Sequence, residues 1–218
     1  MLGLLPGPAG TPLRVLCLGA HCDDVEIGCG GTLLRLLEAR PGSRVRWVVF
    51  SSTKERERET RACARELLAC AASAEVTVLA FRESYFPYAG AGLKDALFAL
   101  RGEVEPDLVF THRLEDRHQD HRTIAELTWN TFREHWILEY EVAKYEGDLG
   151  QPNLYQPLPE ALAARKVELL LRHYRSQAGK PWFQAGAFEG LMRLRAVECR
   201  AASGWAEAFH ARKAVLLP

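Results

Sequence analysis

The stretch Gly19-Ala20-His21-Cys22-Asp23-Asp24-Val25-Glu26-Ile27-Gly28-Cys29-Gly30-Gly31-Thr32 lies between two apolar segments. Before it, Val15-Leu16-Cys17-Leu18 is a continuous apolar run that predicts a buried strand. After it, Leu33, Leu34 and Leu37 have the spacing of one helix face. A histidine and two aspartates therefore lie at the tip of a strand, beside the first turn of a helix. Ionisable groups this close together in sequence indicate a bound divalent metal ion.

A second polar segment follows another apolar run. Leu108-Val109-Phe110 predicts a strand, and the residues after it, Thr111–His121 (THRLEDRHQDH), include three histidines and three acidic residues. If the two segments meet in the folded chain, the second supplies the further ligands that a metal ion on the first would need.

Strands and helices alternate along the chain, which is typical of a parallel sheet with helices on both faces. The first four strands are predicted at Arg14–Gly19, Arg44–Ser51, Val76–Phe81 and Leu108–Thr111. The helices between and after them are predicted at about Gly30–Ala39, Lys54–Ala72, Leu93–Arg101 and from Arg117 onwards. Later segments are predicted as a half-exposed strand at Ile137–Tyr145, an extended piece at Asn153–Tyr155, and helices at Pro159–Tyr174 and Glu189–Ala202.

The strand order predicts where the two polar segments lie. The commonest early order for such a sheet is 3-2-1-4-5, in which strands one and four are neighbours and the chain changes direction between them. Their carboxyl ends form the crevice where open α/β sheets bind ligands, so we expect His21 and His121 to come together. The predicted fold is a single-domain, Rossmann-like three-layer α/β sandwich over residues 1–218. It has a C-terminal extension and a loose arm at residues 1–12 that is a candidate oligomer contact.

Composition limits the class of protein. The chain has 218 residues, with 28 Lys and Arg and 28 Asp and Glu, so the zero net charge argues against a nucleic-acid partner. The six cysteines contain no CxxC pair, which indicates buried thiols in a reducing compartment. The first twelve residues contain no basic residue, and no apolar run approaches the length that spans a membrane. We therefore expect a cytoplasmic protein without a membrane span.

The two polar segments together resemble the PIG-L/LmbE-like family of zinc-dependent N-deacetylases. That family carries Ala-His-Pro-Asp-Asp before a Gly-Gly-Thr helix start, and a downstream His-x-Asp-His. This chain has Ala20-His21-Cys22-Asp23-Asp24, Gly30-Gly31-Thr32 and, further along, the run from His118 to His121. It departs from the family at Cys22, where proline is usual.

Three residues are predicted to bind the metal ion. The resemblance assigns His21, Asp24 and His121 as ligands, and two nitrogens with one carboxylate oxygen and an open position make a catalytic zinc site. Histidine favours zinc over magnesium, whereas iron(II) fits the same set equally well. The alternative is that these residues serve only in helix capping and loop hydrogen bonds.

Three further residues are predicted to take part in catalysis. The resemblance implies that Asp23 is the general base that takes a proton from the attacking water. His118 precedes His121 by three residues, so both are predicted to project from one helix face. In the family, this histidine supports the oxyanion and helps to protonate the leaving amine. Asp120 is predicted to orient one of the histidines, with a surface position on the first helical turn as its alternative.

Four residues are candidates for contact with substrate. Asp116 is predicted to cap the helix that follows it, with Gln119 in a variant of the capping box, or to touch substrate. His112 ends a strand and either faces the cavity or fills the strand end. Arg56 begins a helix at the same edge of the sheet, although a solvated charged face is the simpler interpretation. Tyr85 is a candidate sugar-stacking ring or a packing residue of its loop.

These predictions lead to a metal-dependent hydrolase that removes an N-acetyl group from an N-acetylglucosamine-type sugar or a related small-molecule conjugate. A non-catalytic nucleotide- or sugar-binding module on a Rossmann-like sheet is the alternative, but it leaves the His and Asp spacing unexplained. A metallophosphoesterase would usually require a second metal ion and more ligands.

Overall fold

The computed structural model describes residues 7–215 of the chain. The strands of this part are β1 (Arg14–His21), β2 (Arg44–Ser51), β3 (Ser73–Val78), β4 (Leu108–His112), β5 (Trp136–Tyr140), β6 (Leu154–Pro157) and β7 (Ala206–His210). The α-helices are α1 (Asp24–Ala39), α2 (Lys54–Leu67), α3 (Gly90–Glu103), α4 (Gln119–Thr131), α5 (Glu160–His173) and α6 (Ala185–Cys199).

The strands form one sheet in the order β3-β2-β1-β4-β5-β7-β6. Strands β1 to β5 are parallel, whereas β7 is antiparallel to both β5 and β6. The predicted α/β class and the order of the first five strands are confirmed. The sheet differs from the prediction by continuing through two antiparallel strands from the C-terminal part of the chain.

The strand residues alternate between two apolar cores, one on each face of the sheet. Val15 and Cys17 of β1 face a core with α1, α2, α5 and α6, while Leu16 and Leu18 face a core with α3 and α4. This alternation follows from the two-residue period of a strand, and helices on both faces explain why β1 is an uninterrupted apolar run. The three-layer arrangement is therefore the predicted one.

Several element boundaries differ from the predicted ones. Helix α2 ends at Leu67 and β3 begins at Ser73, earlier than the predicted strand at Val76. Strand β5 is almost wholly buried, not half-exposed, because its side chains enter the cores on both faces of the sheet. Helix α1 begins at Asp24, six residues before the predicted start, and contains a non-helical residue at Cys29 (φ −142°, ψ 16°).

The predicted N-terminal arm lies partly outside the described residues, as does the end of the chain after residue 215. Within the described part, Arg40 donates from Nη1 to the carbonyl oxygens of Pro8 (3.2 Å) and Thr11 (2.8 Å), so this piece of the arm is tied to the end of α1. Among residues 7–215, no helix has the length and apolar character needed to cross a membrane.

Candidate metal centre

The site lies at the carboxyl ends of β1 and β4, which pair in parallel. His21 is the last residue of β1, and α1 begins three residues later. His112 is the last residue of β4, and His121 lies in the first turn of α4. The strand order therefore brings together two histidines that are 100 residues apart in sequence.

Three side chains direct nitrogen or oxygen atoms at one point. His21 Nδ1 lies 3.2 Å from His121 Nε2, His121 Nε2 lies 3.4 Å from Asp24 Oδ1, and Asp24 Oδ2 lies 3.6 Å from His21 Nδ1. All three residues are buried. These are the three residues predicted as metal ligands.

The outer nitrogen of each histidine faces a carboxylate. His21 Nε2 lies 3.0 Å from Asp120 Oδ2, and His121 Nδ1 lies 3.0 Å from Asp116 Oδ2. A carboxylate only accepts hydrogen bonds, so these outer nitrogens carry the protons. In the neutral rings, His21 Nδ1 and His121 Nε2 are then lone pairs that face each other and the Asp24 carboxylate. In this protonation state no hydrogen lies between the two nitrogens and Asp24 Oδ1, an arrangement that a bound cation or an added proton stabilises. The other Asp24 oxygen, Oδ2, accepts a hydrogen bond from the His21 backbone N–H (2.7 Å).

The pKa values of the site residues also favour a positive charge at this point. Burial opposes the charge on Asp24, but His121 and His112 outweigh it and hold the pKa of this carboxyl well below its usual value. Burial would lower the pKa of His121, but Asp24 and Asp116 raise it to about 10. A positive charge at His121 Nε2 is therefore strongly favoured, and either a bound proton or a metal ion can supply it.

The donor set fits zinc. Bonds of about 2.0–2.1 Å in a tetrahedral site place the ligand atoms about 3.3–3.4 Å apart. His121 Nε2 lies at such distances from His21 Nδ1 (3.2 Å) and from Asp24 Oδ1 (3.4 Å), while the 3.6 Å distance from His21 Nδ1 is to the other Asp24 oxygen, Oδ2. The carboxylate behind each histidine is the usual outer partner of a zinc-binding imidazole. Iron(II) accepts the same donors.

Two other histidines lie within reach of this point, in groupings that include His121. His112 Nε2 accepts a hydrogen bond from the Ala20 backbone N–H (2.9 Å), which occupies its lone pair. Burial lowers the pKa of His112 to about 4, so the ring is neutral. It has no exposed surface, which argues against the predicted contact with substrate and for a supporting position beneath the site.

The position of His118 in the structure differs from the predicted one. It is not on the helix face of His121 but is the N-cap of α4, where its Nδ1 accepts a hydrogen bond from the Asp120 N–H (3.3 Å). Its ring stacks on that of His121, with 4.5 Å between centroids. Since Nδ1 accepts, Nε2 of the neutral ring carries a proton and is the donor available at the edge of the site.

Asp116 does not cap α4, so the predicted capping box is wrong. Helix α4 begins two residues later than predicted, which makes His118 the N-cap. Asp116 instead accepts from the His118 N–H (2.8 Å) at Oδ1 and faces His121 with Oδ2. Asp120 also accepts from the backbone N–H groups of Ser84 (2.6 Å) and Phe86 (3.2 Å), so it fixes a loop as well as His21.

Asp23 has the features of a reactive carboxylate. It is a non-glycine residue in the left-handed region (φ 86°), a strained conformation. Its Oδ1 accepts from Arg56 Nη2 (3.2 Å), whereas its Oδ2 is buried without a hydrogen-bond partner among the described residues. Burial raises the pKa of Asp23 to about 7, against the opposing charge of Arg56.

Arg56 and Tyr85 lie at the margin of the site. Arg56, a candidate for contact with substrate, donates from its guanidinium to Asp23 Oδ1 and to the Cys22 carbonyl oxygen, and so holds the Asp23 carboxylate in place. Tyr85 is 42% exposed and lies under the Arg82 guanidinium, 3.6 Å from the ring centroid. Its loop is tied to Asp120, but the ring itself makes no contact with the three converging side chains.

Lys144 was missed by sequence reasoning. Its Nζ donates to Asp116 Oδ1 (3.0 Å) and to both oxygens of Asp148 (2.8 and 2.9 Å). It therefore balances the charge of the carboxylate behind His121. The signal was available, because Lys144 follows β5, whose carboxyl end lies beside that of β4 at the same edge of the sheet. The incorrect extension of the predicted strand through Tyr145 concealed it.

Comparison with known proteins gives a family match. The family described as PIG-L: GlcNAc-PI de-N-acetylase matches residues 16–132, more than half of the chain, and this range includes both histidine segments. The uncharacterized deacetylase YaiS of Escherichia coli (strain K12) is 28% identical over 175 residues, covering 73% of this chain and 89% of that protein.

Solved structures share the fold. N,N'-diacetylchitobiose deacetylase from Pyrococcus horikoshii superimposes with a TM-score of 0.68 at 21% identity, over 94% of this chain and 84% of that one. GalB, the 4-carboxy-2-hydroxymuconate hydratase of Pseudomonas putida KT2440, has a TM-score of 0.75 at 16% identity, over 94% and 98%. Because a deacetylase and a hydratase share this fold, the fold alone does not decide the reaction.

Proposed function

The chain belongs to the PIG-L family, and we propose that it is a zinc-dependent N-deacetylase acting on an N-acetylglucosamine-type sugar or a related conjugate. One observation carries the proposal. His21 Nδ1, His121 Nε2 and the Asp24 carboxylate converge within 3.6 Å of one another, and each histidine is backed by a further carboxylate. A non-catalytic binding module gives no reason for two imidazoles and a carboxylate to converge in this way, with a further carboxylate at the outer nitrogen of each imidazole.

Zinc would supply a Lewis acid that polarises the acyl carbonyl and acidifies a water molecule. Asp23 is then the base. Its Oδ2 has no partner among the described residues, so it is free to take a proton as the water oxygen bonds to the acyl carbon. Arg56 keeps Oδ1 occupied, which directs proton transfer to the other oxygen.

His118 is suited to the second half of the reaction. Its Nε2–H lies at the edge of the site, where it can donate a hydrogen bond to the oxyanion of the tetrahedral intermediate. When the carbon–nitrogen bond breaks, the amine leaves with a proton and the acyl group leaves as acetate. The proton that Asp23 has taken and the one on His118 are the two available for this step.

The substrate class is proposed on two grounds. The family is described by a GlcNAc-containing substrate, and the Pyrococcus structure is that of a diacetylchitobiose deacetylase. Both names describe an N-acetylated glucosamine. The choice among such sugars depends on the loops around the site, in which this chain has its own sequence.

Elemental analysis and acetate release test the proposal together. Protein purified without added metal should contain about one zinc or iron per chain and should release acetate from members of a panel of N-acetylglucosamine derivatives. His121→Ala should lose both the metal and the acetate release. Metal-free wild-type protein, or unchanged acetate release by the variant, would overturn the proposal.

A further inference from the structure

Helix α1 is interrupted just after the turn that carries Asp24. The first turn is closed by a hydrogen bond from the Ile27 N–H to the Asp23 carbonyl (2.9 Å), and Cys29 then leaves the helical conformation (φ −142°, ψ 16°). In an unbroken helix the N–H of Gly31 would donate to the carbonyl of Ile27, four residues earlier. Here these two groups have other partners.

A buried ion pair lies between them. The N–H of Gly31 donates to Glu207 Oε1 (2.9 Å), and that of Thr32 to Glu207 Oε2 (2.6 Å). Lys166 Nζ donates both to Glu207 Oε1 (2.6 Å) and to the Ile27 carbonyl oxygen (2.6 Å). Lys166 of α5 and Glu207 of β7 therefore take the place of the missing hydrogen bond between the Gly31 N–H and the Ile27 carbonyl. They provide hydrogen-bond partners for the backbone groups on both sides of the break.

The break lies against a residue of the site. A Cβ on Gly28 would come within 2.1 Å of Tyr140 Cδ2, so the glycine lets this part of α1 pack directly on the tyrosine ring. Tyr140 donates from its hydroxyl to the Leu18 carbonyl (2.7 Å) and lies 3.2 Å from His112 Nε2. The position of the first turn is therefore fixed from one side by Tyr140 and from the other by the ion pair.

Stability alone does not account for this pair. Both side chains are at most 4% exposed, and the cost of removing two charges from water is seldom recovered by their mutual attraction. The pair instead fixes the distance between the two segments of α1. The segment whose end it holds carries Asp24 and begins directly after Asp23.

We propose that Lys166 and Glu207 are positioning residues, which hold the Asp23–Asp24 turn at the place that the metal site requires. The proposal rests on the proposed function, because the quantity that they set is the geometry of a metal ligand and of the base. Neither side chain touches the converging nitrogen and oxygen atoms; they act through one helical turn.

The test compares two isosteric changes, Glu207→Gln and Glu141→Gln. Glu207 accepts three donors, and an amide offers only one oxygen while turning an NH₂ towards them, so the bridge should open. Glu141 is the matched control because it is also a buried carboxylate in an ion pair, with Arg195, both 4% exposed. Zinc affinity is measured by competition with a chelator, together with kcat, KM and the melting temperature.

We expect Glu207→Gln to bind zinc about 10-fold more weakly, the lower end of the range for a group hydrogen-bonded to a metal ligand, because Glu207 acts on Asp24 only through a helical turn. The value of kcat should fall while KM changes little, and amide hydrogen exchange should accelerate at residues 24–28. Glu141→Gln should retain the zinc affinity and the exchange rates of the wild type, whatever it does to the melting temperature.

The double variant Lys166→Met/Glu207→Gln keeps the test decisive if the single variant is unstable. It removes both charges, so no unpaired charge is left buried, but it also removes the bond to the Ile27 carbonyl. It too should bind zinc more weakly.

Wild-type zinc affinity in folded Glu207→Gln or in the double variant would overturn the inference, as would an equal loss in Glu141→Gln. If the wild type itself binds no zinc, the proposed function fails first, before any variant is compared.

Discussion

Charged residues lie at both ends of the parallel strands, but they are exposed at the amino ends and buried at the carboxyl ends. At the amino ends, Arg14 pairs with Asp107 (2.9 Å) and Glu105 (3.4 Å), and its side chain is 54% exposed. At the carboxyl ends, Asp24 and the two histidines His21 and His121 are buried and face one another. The acidic side chains at the amino ends pair with an exposed arginine, whereas at the carboxyl ends His21 Nδ1 and Asp24 Oδ1 both face His121 Nε2 in a buried site.

This difference separates a surface ion pair from a candidate active site. An exposed pair is solvated whether or not it forms, so its loss is tolerated. Buried acceptors without a donor cost free energy unless a cation joins them. A single substitution, aspartate to asparagine, tests this contrast at Asp23, Asp120 and Asp107, because it removes one negative charge with almost no change of shape.

The largest effect is expected at Asp23. Asp23→Asn removes the only basic oxygen proposed to take the proton of water, and turnover should fall by about 100-fold or more, the usual contribution of a general base. Zinc content should stay at the wild-type level, because the three proposed ligands are untouched. Acetate release and elemental analysis on the same preparation measure both quantities.

A variant that turned over normally would remove Asp23 from the mechanism. A variant that lost its zinc would instead make Asp23 part of the metal site, and the assignment of Asp24 as the ligand would need revision.

An intermediate effect is expected at Asp120. Its two oxygens accept from His21 Nε2 and from the N–H groups of Ser84 and Phe86, and asparagine has one oxygen for these three donors. Asp120→Asn should therefore weaken zinc binding by about 10- to 100-fold. Chelator competition measures this, and turnover at saturating zinc should recover in part. If zinc affinity were unchanged, the bond to His21 would have no role in holding the metal.

The meeting of the two histidine segments was predictable from the sequence. Apolar runs identified β1 and β4, and the usual strand order made them neighbours, so residues after both strands had to share one edge. Asp120 was predicted to orient one of the histidines, but the sequence did not identify that histidine as His21. This pairing joins residues 99 positions apart through side-chain orientation, which depends on where α4 begins. An error of two residues in that start made Asp116 a cap in the prediction.

The break in α1 shows a second limit. The helix was predicted to begin at Gly30, whereas α1 begins at Asp24 and is interrupted at Cys29. The three glycines around Cys29 favour an interruption, because glycine weakens a helix, but they do not indicate which groups satisfy the backbone there. The backbone groups at the break are satisfied by Glu207 in β7, about 175 residues further along, together with Lys166 in α5. A helix that is completed by distant side chains cannot be delimited by its own sequence.

The smallest effect is expected at Asp107. The hydrogen bond from the Arg14 side chain lowers the pKa of Asp107, so the carboxylate adds stability above its unfolded pKa of about 3.9 and loses that contribution as the pH falls towards the folded value. Asp107→Asn should reduce the free energy of unfolding by about 1 kcal/mol or less at pH 7, since the pair is partly exposed. The difference from wild type should shrink below about pH 4. Zinc affinity and turnover should not change, because Asp107 lies at the opposite end of β4 from the site. Denaturant unfolding at pH 7 and pH 3 measures the stability. A loss of zinc comparable to that of Asp120→Asn would show that the exposed pair at the amino ends also affects the metal site, and would contradict the distinction between the two ends of the strands.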